Sequence, residues 1–301
     1  MKVAIIGSGA VGSTTAYTLL LRKRVNELVL IDVNQNKAMG DAFDLSHGLP
    51  FIGAIKVYAG EYKDCADADI IIVTAGVAQK PNETRQDLLA RNLQIFDAMI
   101  PKVTQRNKNG ILLISTNPVD ILSYFSWKKS GWDWNRVIGS GTLLDSARFR
   151  YLIANKLNVD PRSVHAHIVG EHGDTELPLW SHTNIAGMPI GLSEVEKQDL
   201  FKATRDAAYQ IISTKGSTYY AIALALDRIV ESILFNESSV LNVSTLLQNF
   251  HGISDVYLGV PCVVNRQGIH EVLPIEPSPV ELEKLKHSAN ELKKQIAAFG
   301  L

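Results

Sequence analysis

The run Gly7-Ser8-Gly9-Ala10-Val11-Gly12 constrains this chain most. It directly follows the apolar Val3-Ala4-Ile5-Ile6 and opens a helical stretch rich in Ala, Thr and Leu. On its own a G-x-G-x-x-G is also compatible with a simple tight turn after a strand. Strand, glycine turn and helix in that order make a phosphate-binding unit. Gly7 permits the sharp turn, Gly9 lets the backbone approach a pyrophosphate, and Gly12 lets helix and strand pack closely. The helix N-terminus then offers unpaired N–H groups and a partial positive charge. Asp32 ends the next apolar run, ~20 residues past Gly12, where a carboxylate can accept hydrogen bonds from ribose hydroxyls. It would repel a 2′-phosphate, and Val33-Asn34 offers no arginine to offset that. The cofactor expected is NAD rather than NADP.

The alternation begun there continues. Residues 3–6, 28–31, 70–73 and 111–114 are short β-branched runs bounded by glycine or polar residues, as in strands buried on both faces. Longer segments with helical spacing, such as 11–21 and 84–105, lie between them. This predicts an α/β fold with a doubly wound parallel (Rossmann) sheet as a dinucleotide-binding domain over residues 1–140. The pattern then changes. Residues 143–157 read as a helix, 164–169 and 256–264 as strands, and 265–268 as a turn joining two strands. Ser193 with Glu196 has capping-box spacing. Ser278, Pro279 and Glu281 supply an N-cap, an N1 proline and an N3 acid before an amphipathic run to 299. Residues 141–301 are thus expected to form a mixed α+β substrate domain. No linker separates the halves, which predicts a wide shared interface.

At 301 residues the chain suits about two domains and a large core. Thirty basic and 31 acidic residues leave a net charge of -1, which argues against a nucleic-acid binder. Cys65 and Cys262 cannot build a disulfide framework or a four-cysteine metal site, and read as free thiols in a reducing compartment. The N-terminus lacks a leader layout, and no run approaches the ~18 apolar residues of a membrane span. A cytoplasmic protein with no membrane partner is expected.

Ile168-Val169-Gly170-Glu171-His172-Gly173-Asp174 follows a predicted strand. A histidine there can be an ordinary satisfied polar group. Here the flanking glycines give a substrate room to reach the imidazole. Asp145 and Arg148 sit three apart on a predicted helix and share a face. Arginine's planar fork suits a carboxylate, although in isolation the two would read as an intrahelical ion pair. Arg150 falls about 200° from Arg148 at ~100° per residue, so the two face different ways. His165 and His167 alternate on a predicted strand and share a face. No third ligand accompanies them, and no metal site is expected.

With these residues in view, the chain closely resembles the lactate/malate dehydrogenase family, and within it the bacterial L-lactate dehydrogenases. The matching segments are 7–12, Asp32, 75–92, 115–120, 139–150, 170–180 and 215–222, which run through both halves. The resemblance implies reversible hydride transfer between NADH and pyruvate. His172 is then the proton donor and acceptor, Asp145 its carboxylate partner, and Arg148 the anchor for the substrate carboxylate. Residues 74–85 correspond to a lid that excludes water. Arg85 would enter with it and polarise the substrate carbonyl. Asn82 stands where relatives commonly have glycine. It tolerates a left-handed backbone, so the turn is expected to survive. Gln79 stands where malate-acting relatives place arginine. A neutral glutamine favours a methyl group, because a buried unpaired second carboxylate is costly. Lys80, next to it, is the cation that could blur that choice.

By the same resemblance Asn117 and Thr218 touch substrate, and Ile222 lines the nicotinamide. Val11, Lys37, Tyr62, Gly76, Val77, Thr116 and Ser140 match further cofactor contacts. In members activated by fructose 1,6-bisphosphate, an arginine and a histidine match Arg150 and His165 and meet their symmetry mates across an interface. Four cationic groups about a two-fold axis would suit a bisphosphate. A solvated or interface-structural pair is the other reading of those two residues. The resemblance also implies a homotetramer. Two further readings stay open: a malate dehydrogenase or broad 2-keto-acid reductase, and a non-catalytic NAD-binding sensor or scaffold. The joint presence of His172, Asp145, Arg85 and Arg148 argues against the latter.

Overall fold

The computed structural model describes residues 1–77 and 84–301, without the side chain of Arg85. In the first half β1 (Lys2–Ile6) turns at the glycines into α1 (Ala10–Leu21). There follow β2 (Glu27–Ile31), α2 (Gln35–His47), α3 (Leu49–Ile52), β3 (Lys56–Ala59), β4 (Ile70–Val73), α4 (Arg85–Thr104), β5 (Ile111–Ile114), α5 (Val119–Ser130) and β6 (Val137–Gly139). The strands pair in the order β3-β2-β1-β4-β5-β6, all parallel. This is the doubly wound sheet expected. β4 and β5 are buried at every position, which is why they read as unbroken apolar runs.

The second half runs α6 (Leu143–Leu157), β7 (Val164–His165), β8 (Ile168–Val169), β9 (Leu177–Pro178), β10 (Asn184–Ile185) and β11 (Met188–Pro189). It continues with α7 (Glu194–Lys215), α8 (Tyr220–Leu234), β12 (Ser239–Leu247), β13 (Val256–Asn265), β14 (Gly268–Val272) and α9 (Pro279–Ala298). β12, β13 and β14 form an antiparallel meander, with 265–268 as the turn between its last two strands. Ser244 of β12 pairs with Gly139 of β6, so both halves share one nine-stranded sheet. The seam needs small residues. A Cβ on Gly139 would lie 2.5 Å from Ser123 Oγ and 2.7 Å from Ser244 Cβ. Gly141, at φ +54°, would bring one 2.4 Å from the Ser244 nitrogen.

Both foreseen caps are present. Ser193 and Ser278 accept from the N–H of Glu196 and Glu281, whose carboxylates return the bond. Residues 164–169, however, are not one strand. β7 pairs with β10, whereas β8 pairs with β9. Between them the Arg150 Nε donates to the Ala166 carbonyl at 2.9 Å, and His167 Nδ1 meets Asn242 Oδ1 at 2.8 Å. His165 is exposed and His167 half-buried. Cys65 and Cys262 are buried free thiols. No helix among the described residues is long and apolar enough to cross a membrane.

Candidate active site

The cofactor residues named from sequence gather at the carboxyl ends of the parallel strands: Gly7 after β1, Asp32 after β2, Gly76 and Val77 after β4, Thr116 after β5, Ser140 after β6. That edge is where doubly wound sheets bind ligands. Gly7 has φ +104°, and a Cβ there would lie 2.5 Å from the Ala75 nitrogen. A Cβ on Gly12 would lie 1.9 Å from the Gly7 carbonyl oxygen. Around Gly9 no atom of the described residues comes within 4 Å of such a carbon, which leaves the room a pyrophosphate needs. The Asp32 carboxylate accepts from the N–H of Ser8 at 2.6 Å and of Asn34 at 2.8 Å. Both carboxylate oxygens are thereby anchored. These residues fit a dinucleotide.

Other contacts carried from the resemblance vary in placement. Lys37 Nζ holds Asp41 at 2.8 Å, and Asp41 also accepts from Ser8 Oγ. Thr116 Oγ1 donates to the Ala75 carbonyl at 2.7 Å. Asn92 ties the Val77 N–H to the Asn117 carbonyl through bonds of 2.9 Å each. Tyr62 opens a 3-10 turn over residues Tyr62–Cys65. Val11 and Ile222 pack on the core. Thr218 is half-buried just before α8 and is not part of the cavity described next. Gln79, Lys80 and Asn82 lie outside the described residues.

The chemistry centres on α6. Asp145, 3% exposed, sits in its first turn, and Arg148 comes one turn later. Arg148 Nη1 meets Asp145 Oδ1 at 2.9 Å, and His172 Nδ1 meets Asp145 Oδ2 at 2.5 Å. The second contact makes Nδ1–H the donor and leaves Nε2 to exchange a proton. Burial alone would depress the His172 imidazolium. The charge and hydrogen bond of Asp145 outweigh it, with help from Glu176 and Asp120, and raise His172 to about 9. Burial pushes Asp145 up, but His172 and then Arg148 bring it below the usual carboxylate range.

Four distant elements fix the histidine loop. Gly170 and Gly259 exchange backbone bonds of 2.9 Å, anchoring the loop to β13. The His172 N–H donates to Asp120 Oδ2 at 2.8 Å, and Ser244 Oγ donates to Asp120 Oδ1 at 2.5 Å. Asp120 thus joins α5, β12 and the loop. Burial raises it to about 6, against its two donors. Ser288 of α9 accepts the Glu171 N–H at 2.8 Å. Asn117, Asp145, Arg148, His172, Glu176 and Arg205 line a cavity of about 240 Å³.

Sequence reasoning missed Asp120, Glu176 and Asn92. All three fall inside segments that carry the resemblance, but nothing in their spacing marks them. Arg150 and His165 do not line this cavity, which for Arg150 agrees with its helical angle from Arg148.

Residues 1–139 match the family model described as lactate/malate dehydrogenase, NAD binding domain. Residues 142–299 match the lactate/malate dehydrogenase alpha/beta C-terminal domain. Among characterised sequences, the chain is 50% identical to an L-lactate dehydrogenase of Priestia megaterium over 97% of this chain and 94% of that one. It is 49% identical to one of Acetivibrio thermocellus over 100% and 98%. A solved lactate dehydrogenase from a Medee basin deep-sea metagenome library superposes with a TM-score of 0.97 at 43% identity, over 100% and 99% of the chains. The minor L-lactate dehydrogenase of Enterococcus mundtii gives 0.96 at 43% identity, over 99% and 98%. Family models spanning nearly the whole chain, and relatives half identical along its length, place this protein in the lactate/malate dehydrogenase family.

Proposed function

We propose that this protein is an NAD-dependent L-lactate dehydrogenase interconverting pyruvate and L-lactate. The observation that carries the reading is Asp145 held between the His172 imidazole and the Arg148 guanidinium on the wall of one cavity. NADH, when bound along the strand ends, supplies the hydride for C2 of the keto acid. Arg148 takes the substrate carboxylate through its planar fork. His172, protonated at neutral pH, gives the Nε2 proton to the oxygen that gains charge. In the other direction it takes that proton back. Asp145 orients the ring and stabilises its charged form, as a triad carboxylate does.

Arg85 is assigned to carbonyl polarisation and Gln79 to selecting a methyl over a second carboxylate, both on the resemblance. Support for Arg85 is its place at the first position of α4, where the Thr84 and Asp87 capping box fixes the backbone. The substrate domain is taken to begin at residue 141. The reading extends to a cytoplasmic, fermentative role at the end of glycolysis and to a homotetramer. Exposed apolar side chains on α1, α2, α3 and α8 support assembly: Tyr17, Leu21, Phe43, Phe51, Tyr220 and Leu224.

NADH oxidation followed with pyruvate and, separately, with oxaloacetate tests the substrate. A kcat/KM at least about tenfold higher for pyruvate is expected from the cost of burying an unpaired carboxylate. Equal or better turnover of oxaloacetate would withdraw the assignment and point to Lys80 or another cation. NADH binding with no turnover of either acid would favour the non-catalytic scaffold.

A further inference from the structure

Glu176 is a carboxyl group without an assigned role. It is 7% exposed, sits just before β9, and lines the same cavity as His172 and Arg148. Its Oε1 is buried with no hydrogen-bond partner among the described residues. Asp145, His172 and Glu176 each present an atom within 4.8 Å of the others. This set is poorly suited to a metal cation. Arg148 already lies on Asp145 at 2.9 Å, and the His172 Nδ1 is committed to the same carboxylate.

Charge explains the arrangement better. Asp145 and Arg148 face Glu176 from α6, His172 from its loop, and Arg205 from α7; Glu171, Asp174 and Tyr209 line the remaining wall. Arg205 is 42% exposed and 3.9 Å from Asp206, so solvent and that acid mute it. Among the buried groups that line the cavity itself, which Asp120 does not, Arg148 and protonated His172 carry two positive charges and Asp145 one negative. With Glu176 neutral, the balance is one positive charge, which matches the carboxylate of a 2-keto acid. With Glu176 ionised, these described groups contribute no net positive charge and set a second carboxylate beside the substrate's own. The surroundings favour the neutral form: burial first, then the Asp145 charge, raise Glu176 to about 8 despite His172, Arg148 and Arg205.

We propose that Glu176 is a positioning residue that must hold a proton for an anionic 2-keto acid to bind, so that substrate affinity carries a proton beyond the one on His172. The inference rests on the reading above as a pyruvate reductase. Solvent supplies the proton on binding and receives it on release.

The test uses the full chain and E176Q, which keeps the shape and neutrality of the protonated acid but has no proton to lose. KM for pyruvate is measured at saturating NADH from about pH 7 to about 10.5. In the wild type log KM should rise with a limiting slope of about two, and in E176Q with a slope of about one. A second measurement needs no variant. Oxamate resembles pyruvate in shape, and its amide carbonyl resists hydride. Added to the enzyme with NADH in weak buffer near pH 10, it should draw about two protons from solution. A wild-type uptake of about one, or an E176Q slope equal to the wild type's, overturns the proposal. If neither protein reduces pyruvate at any pH, the lactate reading fails and this inference falls with it.

Discussion

Asp120 shows how much of the chemistry depends on a side chain that never meets the cavity. Its carboxylate takes the His172 N–H and the Ser244 hydroxyl, 52 and 124 residues away. Its charge is also one of those that hold the imidazolium. These two roles can be separated. In D120N the amide oxygen can still accept from His172, and the amide N–H can donate to Ser244, so the loop is kept and only the charge is lost. His172 is raised to about 9, so reductive kcat/KM should be full well below that pH and fall as pH rises through it. Without Asp120's negative charge, that alkaline limb should move to lower pH. D120A instead leaves buried donors unmatched and should cost about 1–3 kcal/mol of stability by denaturant titration. An unmoved limb in a folded D120N would confine Asp120 to the loop's geometry. The contrast with Asp145 is instructive. Asp145 and Arg148 were readable because they are three apart on one helix, whereas Asp120 and Glu176 gain their meaning from partners that only the fold brings near.

At the level of elements, the sequence was readable wherever a local rule decides the outcome. The glycine turn, both serine caps and the apolar strands β1, β2, β4 and β5 are of that kind. β12 was not read, because Ser239–Leu247 mixes Asn, Ser and Thr into a strand where Asn242 and Ser244 are satisfied by Ile168 and Asp120 from elsewhere in the chain. The run 164–169 alternates correctly for one strand, yet Arg150 and Asn242 interrupt it from elsewhere in the chain. The glycine turn yields a sharper prediction, since Gly9 and Gly12 differ in what they face. In G12A the new methyl meets the Gly7 carbonyl oxygen at 1.9 Å, so α1 must move off β1. The loss should be about 3 kcal/mol, at the upper end for overpacking. In G9A the methyl enters open space, and the helix start weakens by less than about 1 kcal/mol. NADH affinity should nevertheless fall at least about tenfold in G9A, because that space admits the pyrophosphate. Chemical denaturation beside NADH fluorescence titration separates the two. Equal destabilisation with unchanged NADH binding in G9A would mean the turn does not cradle the cofactor.

For the molecule as a whole, the continuous sheet places the catalytic loop at a seam where α5, β12, β13 and α9 all hold it. On the other side of α6 lie Arg150 and His165. The Arg150 Nε donates to the carbonyl of Ala166, the residue after the exposed His165. If these surfaces meet across a two-fold axis, as the homotetramer reading requires, each axis gathers two guanidinium and two imidazole groups. Such a cluster repels itself unless a polyanion joins it. A dianionic effector would therefore favour the assembled form, and by linkage would raise pyruvate affinity if that form binds pyruvate better. Fructose 1,6-bisphosphate should lower the pyruvate KM and raise the melting temperature of the assembly. R150Q should lose most of both responses while still turning over pyruvate, since Arg150 lies outside the cavity. A wild-type protein whose KM and melting temperature ignore the bisphosphate would leave Arg150 as a structural ligand of the Ala166 carbonyl, with no effector to bind.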